Sequence, residues 1–127
     1  MPIVNHADIP EVPWRPNYQK WDITQSDDGT TSSSLSYSVV GINAGTPLHT
    51  HEADELIVVL EGTLEARLGD QVTNVGANHT LVIPPNTPHR FTSVGPGKAH
   101  IITFFPISDP FDHTHYLEGG LPESLQN

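Results

Sequence analysis

Cysteine is absent from the 127 residues. That excludes disulfides, thiolate zinc sites, iron–sulfur clusters and a cysteine nucleophile, so any metal must sit on imidazole and carboxylate. Basic residues are scarce: five Lys and Arg stand against fifteen Asp and Glu, a formal charge of −10. A field of that sign repels polyanions, so neither nucleic acid nor an anionic membrane surface is an expected partner. No run approaches the roughly 18 apolar residues that a membrane span needs. Met1 to Asp8 have neither a cationic start nor an apolar stretch, so no secretory signal is expected and a cytoplasmic location is the expectation. The length suits one domain with a modest core.

Proline is plentiful at the start of the chain. Pro2, Pro10, Pro13 and Pro16 interrupt any periodic pattern, and Ser26 to Gly29 reads as a turn, so residues 1–29 are expected to form an irregular arm. Trp14, Tyr18 and Trp21 in that arm predict that it packs on the body of the protein or on a second subunit. From Thr30 the pattern changes to short strands. Leu35, Tyr37 and Val39 alternate with serines, Leu56–Leu60 is a continuous apolar run before Glu61-Gly62, and Leu64, Ala66 and Leu68 alternate before Gly69-Asp70. Further strands are predicted at Gln71–Val75, Thr80–Ile83, Arg90–Val94 and Ala99–Phe105. Seven or more short strands without an amphipathic helix indicate an all-β sandwich or barrel over residues 30–106. Residues 107–127 read as an irregular tail, with one helical turn at most near Pro122 to Leu125.

The chemistry concentrates in His49-Thr50-His51-Glu52-Ala53-Asp54-Glu55. Side chains alternate along a strand, so His49 and His51 point the same way with Cα atoms roughly 6 to 7 Å apart. Two such imidazoles can converge on one cation at metal–nitrogen distances near about 2 Å. Glu55 has the same parity and a longer reach. The best candidate for a fourth ligand is His89, which follows the stiff turn Pro84-Pro85-Asn86-Thr87-Pro88. Asn86 sits where a positive φ is expected, a conformation Asn tolerates better than most residues. By contrast, His100 reads as a core or pocket residue, His79 as a turn residue and His6 as part of the arm. His113-x-His115 repeats the spacing in the tail without an evident partner.

These residues resemble the two conserved motifs of the cupin superfamily. His49-x-His51-x3-Glu55-x6-Gly62 matches the first motif from its first His onward, and Pro84-x-Asn86-x2-His89 matches the centre of the second. Departures fall on turn and supporting positions: Gly45 is out of register, and Asn78, Asn86 and Ser93 replace two glycines and an asparagine. The resemblance covers roughly residues 34 to 105 and is that of a small single-domain cupin. It implies a double-stranded β-helix, the jelly-roll barrel, and a homodimer, with the Trp14/Trp21 arm as a plausible contact.

One divalent transition metal ion is therefore expected on His49, His51, Glu55 and His89, and Fe2+, Mn2+, Ni2+, Co2+ and Zn2+ all suit imidazole plus carboxylate. About two positions of an octahedron remain for water or substrate. Such a centre attracts small oxygen chelators such as enolates, hydroxy acids, catechols or uronic acids. The metal decides the reaction class: an Fe(II) dioxygenase is the first expectation, a non-redox lyase, isomerase or cyclase the second, and a non-catalytic binding module the third. Glu55 is the expected catalytic residue, as a general base. Tyr37, His100 and Phe104 are expected in the substrate pocket. Arg90 should face away from His89 and form a surface ion pair.

Overall fold

The computed structural model of the chain describes residues 3–24, 26–29 and 32–123. The described residues include ten strands: β1 Tyr18–Thr24, β2 Ser34–Val40, β3 His49–His51, β4 Glu55–Glu61, β5 Thr63–Leu68, β6 Gln71–Gly76, β7 His79–Ile83, β8 His89–Ser93, β9 Ala99–Phe105 and β10 Thr114–Tyr116. They form two five-stranded sheets, in the orders β1-β2-β9-β4-β7 and β10-β3-β8-β5-β6. Every pairing is antiparallel, and the two inner faces pack on each other as a jelly-roll barrel. Among the described residues no helix is long and apolar enough to cross a membrane.

Period-two alternation explains which residues fill the core. In β9, Ala99, Ile101, Thr103 and Phe105 are buried, while His100, Ile102 and Phe104 lie on the outer face. The apolar run of β4 splits the same way: Ile57 and Val59 are wholly buried, and Leu56, Val58 and Leu60 point outward. Val40, Leu64, Ala66, Leu81, Ile83 and Phe91 complete the packed centre. Turns sit where the sequence places them. Gly62 and Gly69 have positive φ, as do Asn78 and Asn86, which stand where the family pattern has glycine. Asn can replace glycine there because its short polar side chain tolerates the left-handed region.

Both ends of the chain depart from expectation. The arm is not irregular throughout: Tyr18–Thr24 is an edge strand paired with β2 from Tyr18↔Val40 onward. Its inward positions are Tyr18, Lys20 and Asp22, and two charges on the buried face hide the alternation that marks a strand. The tail is not irregular throughout either. Pro110–His113 forms a 3-10 turn, and Thr114–Tyr116 pairs with β3. Three residues are too few for a periodic signal. The helical turn expected near Pro122 to Leu125 runs outside the described residues.

Candidate metal centre

Side-chain ligands arrive from both sheets. β3 supplies His49 and His51 on one face, and β8 supplies His89, whose Cα lies opposite that of His49 in the ladder. Glu55 comes from β4 in the other sheet, because the chain crosses the barrel between His51 and Glu55. Strand parity therefore places the two histidines, whereas a sheet crossing places the carboxylate. The stiff turn before His89 docks directly on this strand, with the Asn86 N–H donating to the His51 carbonyl at 2.7 Å. All four ligands are buried, and one ligand atom from each lies within 4.8 Å of every other.

The spacing suits a metal ion. His49 Nε2 is 3.1 Å from His51 Nε2, His89 Nε2 is 2.9 Å from Glu55 Oε1, and His51 Nε2 is 3.4 Å from the same oxygen. An ion about 2.1 Å from its ligands needs neighbouring donor atoms roughly 3.0 Å apart in an octahedron and 3.4 Å in a tetrahedron.

The far side of each ring fixes its tautomer. His49 Nδ1 lies 2.6 Å from the Pro47 carbonyl and His89 Nδ1 2.8 Å from the Thr87 carbonyl. Carbonyl oxygens only accept, so each Nδ1 carries the hydrogen. His51 Nδ1 is 2.7 Å from Thr114 Oγ1, which itself donates to the Pro110 carbonyl at 2.8 Å and so accepts from the ring. In the neutral rings all three Nε2 lone pairs converge beside a carboxylate. Two lone pairs facing each other at 3.1 Å, as in His49 and His51, call for a cation between them.

Electrostatics favour the same state. Burial, followed by the neighbouring His89, pushes the His49 pKa down to about 4, so this ring stays neutral and ready to ligate. Burial pushes Glu55 upward, but hydrogen bonds and charge from His51 and His89 outweigh it and hold the carboxyl down to about 2. Ligation needs the Nε2 lone pairs free, so a proton there and a metal ion compete for one place.

A cavity of about 40 Å³ adjoins the ligands, and its walls include Trp14, Arg15, Lys20, Phe105, Phe111 and Tyr116. A second cavity of about 210 Å³ shares Lys20, Ser36, Thr103, Phe105 and Phe111 with it and opens outward. Lys20 is almost fully buried, bonded to Asp22 at 2.7 Å, with its ammonium 4.3 Å from the Trp14 ring centre and 4.7 Å from that of Phe111.

The expected pocket residues Tyr37, His100 and Phe104 are elsewhere. The register of β2 with β9 puts all three on the outer face of their sheet, while Ser36, Thr103 and Phe105 face the cavity. There the Tyr37 hydroxyl bonds His100 Nδ1, the Tyr37 ring packs on Trp21, and His100 Nε2 meets Glu61 at 3.1 Å. Trp14 and Trp21 accordingly part company, one at the metal cavity and the other outside. His113 and His115 flank Glu52 on the exposed surface, 3.2 and 3.4 Å from its Oε2, and do not enter the cavity. Their neighbours reach the ligands: Thr114 holds His51, and the Tyr116 ring lies 5.7 Å from that of His49 and lines the cavity. Sequence reasoning missed Arg15, Lys20, Thr114 and Tyr116, for which the only signal was the inward parity of Lys20 beside Tyr18. Arg90 behaves as expected, facing Glu118 at 3.9 Å on the surface.

Comparison with known proteins agrees with this architecture. Residues 37–105 match the family model described as a cupin domain. The chain is 33% identical over 88 residues to the uncharacterized protein MJ1618 of Methanocaldococcus jannaschii, covering 67% of this chain and 69% of that one. Among solved structures, the polyketide cyclase RemF from Streptomyces resistomycificus superposes with a TM-score of 0.77 at 24% identity, over 94% of this chain and 87% of that one. Oxalate decarboxylase from Bacillus subtilis gives 0.77 at 15% identity, over 91% of this chain and 32% of that one. At such identities the structural likeness speaks for the fold alone. With its family match, its two-sheet barrel and its buried cluster of three histidines and one glutamate, the chain belongs to the cupin family.

Proposed function

We propose that this protein is a metal-dependent enzyme acting on a small organic molecule that chelates the ion through oxygen, with an Fe(II) dioxygenase as the first reading. The observation that carries the proposal is the convergence of three Nε2 lone pairs and the Glu55 carboxylate beside a cavity that His49, His51 and Glu55 line. Bound there, the ion supplies Lewis-acid polarisation of a substrate oxygen and, where it is Fe(II), dioxygen chemistry.

The chain's own residues do the rest. Pro47, Thr87 and Thr114 orient the imidazoles through their Nδ1 hydrogens. Glu55 is ionised and lines the cavity, which suits it to accept a substrate proton as general base. Phe105, Phe111 and Trp14 supply apolar walls to the cavity.

A second reading, a non-redox cyclase, lyase or isomerase, draws support from the likeness to a polyketide cyclase along 94% of the chain and from the Mn(II) centres of the oxalate decarboxylase neighbour. Metal analysis of protein purified without chelators, paired with oxygen uptake on candidate chelating substrates, tests both. About one equivalent of iron with uptake supports the dioxygenase, and turnover with manganese, nickel or zinc but no uptake supports the second reading. Absence of metal, before and after reconstitution, overturns both.

A further inference from the structure

The chain has five basic residues, and two of them, Arg15 and Lys20, line the metal cavity. In a protein with a formal charge of −10, that placement makes a local positive patch in an otherwise negative field. The two are not equivalent. Lys20 is already neutralised by Asp22 at 2.7 Å. Arg15 has no carboxylate within ion-pair distance among the described residues.

What holds Arg15 is neutral. Its Nη2 donates to the Gly120 carbonyl at 2.7 Å and meets the Tyr116 hydroxyl at 3.5 Å, and its guanidinium carbon lies 5.8 Å from the centre of the Tyr116 ring. Among the described residues its buried Nε has no hydrogen-bond partner, while the side chain as a whole is partly exposed. A buried charged donor left unpaired is costly, and planar guanidinium forks match carboxylates in two-point geometry. The same Tyr116 ring lies against His49, so Arg15 is one aromatic layer from the metal ligands.

We infer that Arg15 is the anion-binding residue of the metal cavity, and that the substrate is a small 2-hydroxy or 2-oxo acid carrying a second carboxylate. Resting on the proposed function, this narrows the substrate: one end chelates the ion and the other carboxylate pairs with Arg15. A neutral catechol or diketone would leave the Arg15 charge unanswered. The cavity of about 40 Å³ beside the ligands restricts the acid to a few carbons unless it extends into the adjoining cavity of about 210 Å³. An anion extending there would meet Asp22, which lines that space, so the compact acids are preferred.

Malate and its 4-amide separate these ideas, because both chelate through the same hydroxy acid and differ only in the distal charge. Isothermal titration into metal-loaded protein should give malate an advantage of at least about ten-fold, as for a charge-assisted pair. Arg15→Gln should bring the two ligands to equal affinity by weakening malate alone. Arg15→Lys, which restores the charge without the planar fork, should recover part of the preference. Metal content and Tm are measured on every variant, so loss of the Gly120 bond is not mistaken for loss of an anion site. Equal affinities in the wild type, or an undiminished preference in Arg15→Gln, would overturn the inference while leaving the metal site standing. Failure of the wild type to take up metal at all would instead sink the underlying function, and the inference with it.

Discussion

Thr114 Oγ1 accepts the Nδ1 hydrogen of His51 at 2.7 Å while passing its own hydrogen to the Pro110 carbonyl at 2.8 Å. A residue of the short tail strand thereby sets which nitrogen of a ligand in the barrel is free for metal. Thr114→Val should keep the shape but leave the buried ring N–H without an acceptor. Metal affinity should fall about 10- to 100-fold, measured by competition with a chromophoric chelator, and Thr114→Ser should retain it. Unchanged affinity in the valine variant would show that His51 needs no orientation from the tail.

Glu55 gives the site its single ligand charge and faces two of the three ligand imidazoles. Glu55→Gln preserves volume and removes that charge, so metal affinity should drop by about ten-fold or more. At saturating metal, turnover should still fall by roughly 10² or more if Glu55 is the base. A variant that keeps both metal and full turnover would refute that role.

Gly62 illustrates a packing constraint that lies outside the site. Its φ is +85°, and a Cβ there would sit 2.7 Å from Ala99 Cα and 2.8 Å from the Lys98 carbonyl oxygen. Gly62→Ala must move backbone, at a cost of about 2–4 kcal/mol, a Tm loss on the order of 10 °C. Gly69 is the control, with φ +59° and nothing within 4 Å of its would-be Cβ. Gly69→Ala should cost only about 1–2 kcal/mol. Equal losses in calorimetry would place the whole effect in φ rather than in the close approach.

Tyr18 predicts the alkaline limb of stability. Burial raises its pKa well above the usual phenol value, against the opposing hydrogen bond with Ser38. A folded-state pKa above the unfolded one contributes stability that is complete below pH about 10 and is lost as pH rises through the raised value. Urea unfolding at pH 8 and pH 11 should therefore show a smaller alkaline loss for Tyr18→Phe than for the wild type. At pH 8 the variant should be weaker by about 1 kcal/mol, the worth of the Ser38 bond. Parallel losses would assign the alkaline limb to other groups.

The strands between Ser34 and Phe105, their turns and the candidate cluster of His49, His51, Glu55 and His89 are legible in the residues alone. Those signals are local: alternation in Leu64, Ala66 and Leu68, positive-φ tolerance at Asn86, and the His49-x-His51 spacing all depend on neighbours a few residues away. Which face each strand turns to the cavity is a matter of how the sheets pack, and it puts Tyr37, His100 and Phe104 outside while Ser36, Thr103 and Phe105 lie within. A strand's alternation names two faces without saying which is inward, and an outer face as apolar as that of β2 and β9 gives no clue. The contributions of Arg15, Lys20, Thr114 and Tyr116 are of the same kind. Each is a polar or aromatic residue at an end of the chain, brought to the metal ligands only when the edge strands β1 and β10 close the two sheets around them.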